Sequence, residues 1–128
     1  MVYLDTSVAL AHLLAEDRSP PASLWQTQIV SSRLLEYELW TRVHGRGLGK
    51  SHAEALRTLL GHVAILELVP PILARALEPF PIAVRTLDAI HLASADFLRT
   101  QGQRISMATY DDRMRAGAVA MGFPIEPL

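Results

Sequence analysis

Four acidic residues stand where carboxylate chemistry is possible. Asp5 follows the apolar run Val2-Tyr3-Leu4, and Asp111, with Asp112 beside it, follows the run from Ile105 to Tyr110. Asp88 lies in the first turn of a long helical segment, and Glu38 lies inside another. Carboxylates brought together repel one another, so an unliganded cluster has at least one raised pKa, and a divalent cation removes that penalty. The chain has no cysteine, which excludes thiolate sites, and an all-oxygen donor set suits Mg2+ or Mn2+. Each acid also has an ordinary use. Aspartate at a helix N-terminus caps backbone N–H groups and complements the macrodipole. Thr109 and Asp112 have the spacing of a capping box, which leaves Asp111 the less explained of its pair. Glu38 precedes Arg42 by one helical turn, the arrangement of an exposed ion pair contributing about 0.2–0.5 kcal/mol. At 100° per residue its side chain projects between those of Leu34 and Leu35, partly toward the buried side, while Glu36 points roughly 160° away. Periodicity alone does not choose between the two glutamates.

The elements that must position these acids follow from local pattern. Residues 2–4 are β-prone and pass through Asp5-Thr6-Ser7 into a helical stretch at 8–15. After Ser19-Pro20-Pro21, a short helix around Trp25 leads to Ile29-Val30-Ser31, and Ser32 can cap a helix to about His44, stopped by Gly45, Gly47 and Gly49. Ser51 can start another helix to about Leu60, Val63–Leu66 reads as a buried strand, and Pro70-Pro71 closes that unit. A short helix near 72–78 and a proline-containing loop at 79–85 precede a long, largely buried helix from about Thr86 to Thr100. Arg104–Ala108 reads as strand, Asp112–Met121 as helix and Phe123–Ile125 as a final short strand. Alternating strands and helices predict an α/β fold whose mainly parallel sheet is covered on both faces. In such sheets, sites form beyond the carboxyl ends of the strands, where Asp5 and Asp111 stand.

A length of 128 residues and a mass of 14.1 kDa fit a single domain over 1–128, since a domain takes roughly 100–200 residues. Hydrophobic residues make up 50% and charged residues 20%, which excludes disorder. Every apolar run is interrupted before the ~18 residues of a membrane span, no leader is expected before the first strand, and the expected compartment is the cytoplasm. The formal net charge of -1 gives no sign of a polyanionic partner.

Four segments carry a resemblance to a known family. VYLDTS at 2–7, SSRLLEYELWTR at 31–42, RTLDAIHLASA at 85–95 and ATYDDRMRAGAVAMGFPI at 108–125 resemble the acidic motifs of PIN-domain ribonucleases, in particular VapC-type toxins of toxin–antitoxin systems. The resemblance implies a three-layer α/β/α fold and places the family's acids on Asp5, Glu38, Asp88 and Asp111. The interval from Ser32 to Glu38 selects Glu38 over Glu36. Three residues separate Glu38 from Arg42 where many relatives have two, a departure that bears on Arg42 more than on Glu38. The implied activity is Mg2+- or Mn2+-dependent endoribonuclease cleavage giving a 5′-phosphate and a 3′-hydroxyl. Asp5 and Asp88 are expected as central ligands, with Glu38 and Asp111 completing the shell. The implied partners are an RNA substrate, a VapB-like antitoxin and a second copy of the chain. Of thirteen acids, four are assigned to that centre, leaving nine against twelve basic residues, a balance compatible with RNA.

Residues around the acids are candidates for support or substrate contact. Thr6, Ser7 and Thr109 can hydrogen-bond a carboxylate or phosphate, or simply form turns. Arg113 can position substrate, as can Arg42 and the basic stretch that continues to His62. His91, one turn after Asp88, reads as a hydrogen-bonded core residue rather than a metal ligand. Asp96, about 12 Å along the helix from Asp88, is too distant to share its shell. A dehalogenase-like phosphatase needs an aspartate where Ser7 stands, and a receiver domain needs a lysine after its last strand, whereas Lys50 is the only lysine. The non-enzymatic alternative is a PIN-like RNA-binding or assembly module with a degenerate acidic site.

Overall fold

A computed structural model describes residues 1–128. Strand β1 (Val2–Leu4) runs directly into helix α1 (Thr6–Leu13), and a 3-10 turn (Ala22–Gln26) leads to β2 (Ile29–Ser32). Helices α2 (Arg33–Gly45) and α3 (Gly49–Gly61), strand β3 (Ala64–Leu66) and helix α4 (Pro70–Ala76) follow. Helix α5 (Thr86–Thr100), strand β4 (Ser106–Ala108) and helix α6 (Asp112–Ala120) complete the order. The four strands form one parallel sheet in the order β3-β2-β1-β4. The chain therefore builds outward from β1 to β3 and returns to place β4 on the other side of β1.

Alternation along the strands divides the core between the two faces. Val2, Leu4 and Ile29 pack with α1, α2 and α3 through Val8, Leu35, Leu39, Val43 and Leu56. Tyr3, Val30 and Met107 pack with α5 and α6 through Leu92, Ala95, Met114 and Ala118. Helices on both faces of a parallel sheet give the three-layer α/β/α arrangement expected from the sequence.

Local chemistry accounts for the starts of two helices. Ser32 caps α2 by accepting from the backbone N–H of Leu34, and Asp111 caps α6 by accepting from those of Arg113 and Met114. Three expectations need correction. Pro70-Pro71 opens α4 instead of closing the preceding unit, because proline at the first helical positions gives up no intrahelical hydrogen bond. Phe123–Ile125 is not a strand: it contributes a single bridge, Met107 to Ile125, beyond α6, and the buried Phe123 ring holds the segment to the core. Helix α3 also begins two residues before Ser51, at Gly49.

Candidate active site

The sheet order reverses beside β1, and the residues just past β1 and β4 meet there. Open α/β sheets form their clefts at this kind of switch point. A cavity of about 800 Å3 opens at this end and is lined by Asp5, Glu38, Asp88 and Asp111, together with Thr6, Ser7 and His91. Arg18, Arg42, Arg46 and Arg85 line it as well.

Asp5 occupies the N-cap position of α1 but makes no capping hydrogen bond with its side chain. Instead its Oδ2 accepts from Ser7 Oγ at 2.6 Å and from Thr109 Oγ1 at 2.8 Å. Each hydroxyl also accepts a backbone N–H, Ser7 from Tyr110 and Thr109 from Asp111. The two loops after β1 and β4 are thereby stitched together around a carboxylate that is only 5% exposed. This use of Asp5 is not the ordinary capping role.

Glu38 reaches the same cavity from α2. Its Oε1 accepts from Thr6 Oγ1 at 2.8 Å and lies 2.6 Å from His91 Nε2, while His91 Nδ1 lies 2.8 Å from Tyr3 Oη. Burial alone would raise the Glu38 pKa, but the hydrogen bond and charge of His91, with help from Thr6 and Arg42, hold it below the usual carboxylate range. Burial alone would lower the His91 pKa, and the Tyr3 oxygen, Glu38 and Asp5 overcome it, pushing His91 up to about 10. The pair is therefore ionic at neutral pH. His91 is a hydrogen-bonded core residue, as its apolar helix suggested, but its partner is the site glutamate. The signal for this was the three-residue interval from Asp88 to His91, which puts both on one side of α5.

Asp88 and Asp111 share one arginine. Arg85 Nε donates to Asp88 Oδ2 at 3.0 Å and its Nη2 donates to Asp111 Oδ2 at 2.9 Å. Burial raises the Asp88 pKa, and the neighbouring Asp111 and Asp5 carboxylates add to it, so Arg85 offsets the shift only in part. Asp111 goes the other way: burial is outweighed by the backbone N–H groups of Met114 and Arg113 and by Arg85. Arg85 was not singled out in the sequence, and only its position just before an acidic first turn could have marked it.

Other expected residues fall outside the cavity. Asp112 and Arg113 are exposed in the first turn of α6 and do not line it. Asp96 pairs with Arg75 and Arg99, away from the acids. Lys50 and Arg57 lie with Trp40 in a separate depression.

The sequence matches the family model for the PIN domain over residues 2–119. It is 32% identical to Ribonuclease VapC47 of Mycobacterium tuberculosis (strain CDC 1551 / Oshkosh), covering 96% of this chain and 93% of that one. Ribonuclease VapC46 of Mycobacterium tuberculosis (strain ATCC 25618 / H37Rv) is 33% identical, over 97% and 95% of the two chains. The chain belongs to the VapC-type PIN-domain family. Solved structures agree on the PIN fold. The crystal structure of Mycobacterium tuberculosis VapC20, described as a Sarcin-Ricin loop cleaving toxin, superposes with a TM-score of 0.70 at 20% identity, over 99% of this chain and 100% of that one. A toxin–antitoxin complex from Klebsiella pneumoniae superposes with a TM-score of 0.66 at 18% identity, over 94% of each chain.

The donor chemistry of this PIN-domain cavity fits a hard divalent cation. All candidate ligands are carboxylate oxygens, and three of the four acids come close enough that Asp111 and Asp5 add to the effect of burial in raising the Asp88 pKa. No three of these side chains stand as a ready ligand set: Arg85 ties Asp88 to Asp111, and His91 and Thr6 claim one Glu38 oxygen.

Proposed function

We propose that this PIN-domain protein is a Mg2+- or Mn2+-dependent endoribonuclease that acts as the toxin of a toxin–antitoxin pair. The supporting observation is the convergence of Asp5, Glu38, Asp88 and Asp111, from four separate segments, on one cavity at the switch point of the sheet. The relatives named as VapC ribonucleases support the substrate class, and the toxin–antitoxin neighbour supports the biological setting.

In this reading Asp5 and Asp88 hold the cation, while Asp111 and Glu38 complete its surroundings. When bound, the cation supplies charge to the phosphoryl group and acidifies the attacking water. Ser7 and Thr109 aim the Asp5 carboxylate by donating to Oδ2, which leaves Oδ1 free. Glu38 Oε2 is likewise free, because Thr6 and His91 both use Oε1. A carboxylate with a lowered pKa is a weak base, so Glu38 orients the attacking water more than it removes a proton. In-line attack on the phosphorus releases the 3′-oxygen and leaves a 5′-phosphate.

Cleavage of an RNA substrate should require added Mg2+ or Mn2+ and stop with chelator, and Asp5→Asn should lose it. Equal cleavage by Asp5→Asn in the presence of chelator would end this reading. The same reading includes inhibition by a VapB-like antitoxin, a cytoplasmic location and a homodimer. A monomer in sizing with light scattering at micromolar concentration would contradict the last. No helix is long and apolar enough to cross a membrane.

A further inference from the structure

The contact that orients Glu38 leaves the neighbouring Arg42 acting on it only through its charge, outside any direct ion pair. Arg42 stands one turn beyond Glu38 on α2, the spacing at which the two would pair on an isolated helix. In the folded chain Glu38 Oε1 is taken by His91 and Thr6, and Arg42 forms no ion pair. Arg42 is exposed and lines the cavity. Arg46, another four residues on at the end of α2, is exposed, lines the same cavity and is equally without an ion pair. The remaining two cavity arginines are engaged: Arg85 with Asp88 and Asp111, and Arg18 with Tyr110, whose carbonyl it reaches at 3.2 Å and whose ring it covers at 4.8 Å. Glu38, Arg42 and Arg46 thus form a row with steps of about 6 Å along the helix axis, leading away from the acids.

An arginine fork matches the oxygens of a phosphate, and it binds best where no protein carboxylate already occupies it. A cavity of about 800 Å3 is on the scale of a small ligand, and sequence-specific RNA recognition mostly takes unpaired, splayed nucleotides. Resting on the ribonuclease reading, we infer that Arg42 and Arg46 are positioning residues that seat backbone phosphates of single-stranded RNA on the α2 side of the cleaved bond. The acids then meet the scissile phosphate while its neighbours in the strand lie along α2. Because phosphate contacts carry no base information, this track sets the path of the strand and not the sequence that is cut.

The test uses the whole chain carrying Asp5→Asn, so that RNA stays intact, and a fluorescein-labelled single-stranded oligoribonucleotide at constant Mg2+. Binding is followed by anisotropy from low to moderate KCl. For single strands, each phosphate contact contributes about 0.7 to the slope of log affinity against log salt. Arg42→Gln and Arg46→Gln should each lower the slope by about that amount, and the double variant by about twice as much. Arg42→Lys, which keeps the charge, should keep the slope. Arg104→Gln, exposed before β4 at the opposite end of the sheet, should also leave it unchanged. Slopes equal to the parent's in the Arg42 and Arg46 variants would overturn the inference while leaving the ribonuclease reading in place. A parent that binds no RNA at any salt would overturn both.

Discussion

His91 Nε2 lies 2.6 Å from Glu38 Oε1 across 53 positions of sequence, joining the two helical layers at the edge of the cavity. Helix α2 belongs to one face of the sheet and α5 to the other, so this contact forms only when both pack. Removing the imidazole leaves the buried Tyr3 hydroxyl without a partner and leaves the Glu38 carboxylate with Thr6 alone. Leaving such groups unpaired costs about 1–3 kcal/mol. His91→Leu should lower the unfolding free energy by that order in urea titrations, and unchanged stability would show that the contact is dispensable.

The same pair predicts a pH dependence with a definite sign. His91 titrates near 6.5 when unfolded and at about 10 when folded, so the folded state binds the extra proton between those values. Its contribution is complete below about pH 6.5 and is lost as the pH rises through about 10. Urea titrations in chelator should show wild-type stability falling across that window. Glu38→Gln removes the charge that helps hold the proton and should flatten the fall; parallel curves would assign the dependence to other groups.

Arg85 competes with any cation for Asp88 and Asp111, since its two hydrogen bonds engage one oxygen of each. Mn2+ should bind Arg85→Gln a few-fold more tightly than the wild type in calorimetry at low salt. Equal or weaker binding would mean that the arginine supports the loaded site.

Thr109 serves Asp5 as donor and Asp111 as acceptor through one hydroxyl. Outer partners of metal-binding carboxylates typically change affinity or activity by about 10–100-fold when removed. Thr109→Val should weaken Mn2+ binding and slow cleavage within that range, while Thr109→Ser should retain both. A valine variant with wild-type affinity would reduce the threonine to a turn former.

Much of the architecture was legible locally. Ser32, the aspartates after strands and the glycines and prolines between segments mark where elements start and stop, because caps and breakers act on backbone groups within a turn of themselves. The same locality misleads at Pro70-Pro71, where proline opens a helix as readily as it ends a unit, and at Phe123–Ile125, where an apolar run packs without a strand to join. The sequence by itself also placed Asp5 and Asp111 just past strands and Asp88 in the first turn of a helix, while the resemblance chose Glu38 over Glu36. Only the tertiary structure decided which charges meet. Spacing on α2 offers Arg42 to Glu38, but packing across the sheet delivers His91 instead, and a buried hydrogen-bonded partner displaces an exposed one that water screens. For the same reason Arg85 spans two acids that lie 23 residues apart, and Arg42 and Arg46 are left facing the cavity unpaired.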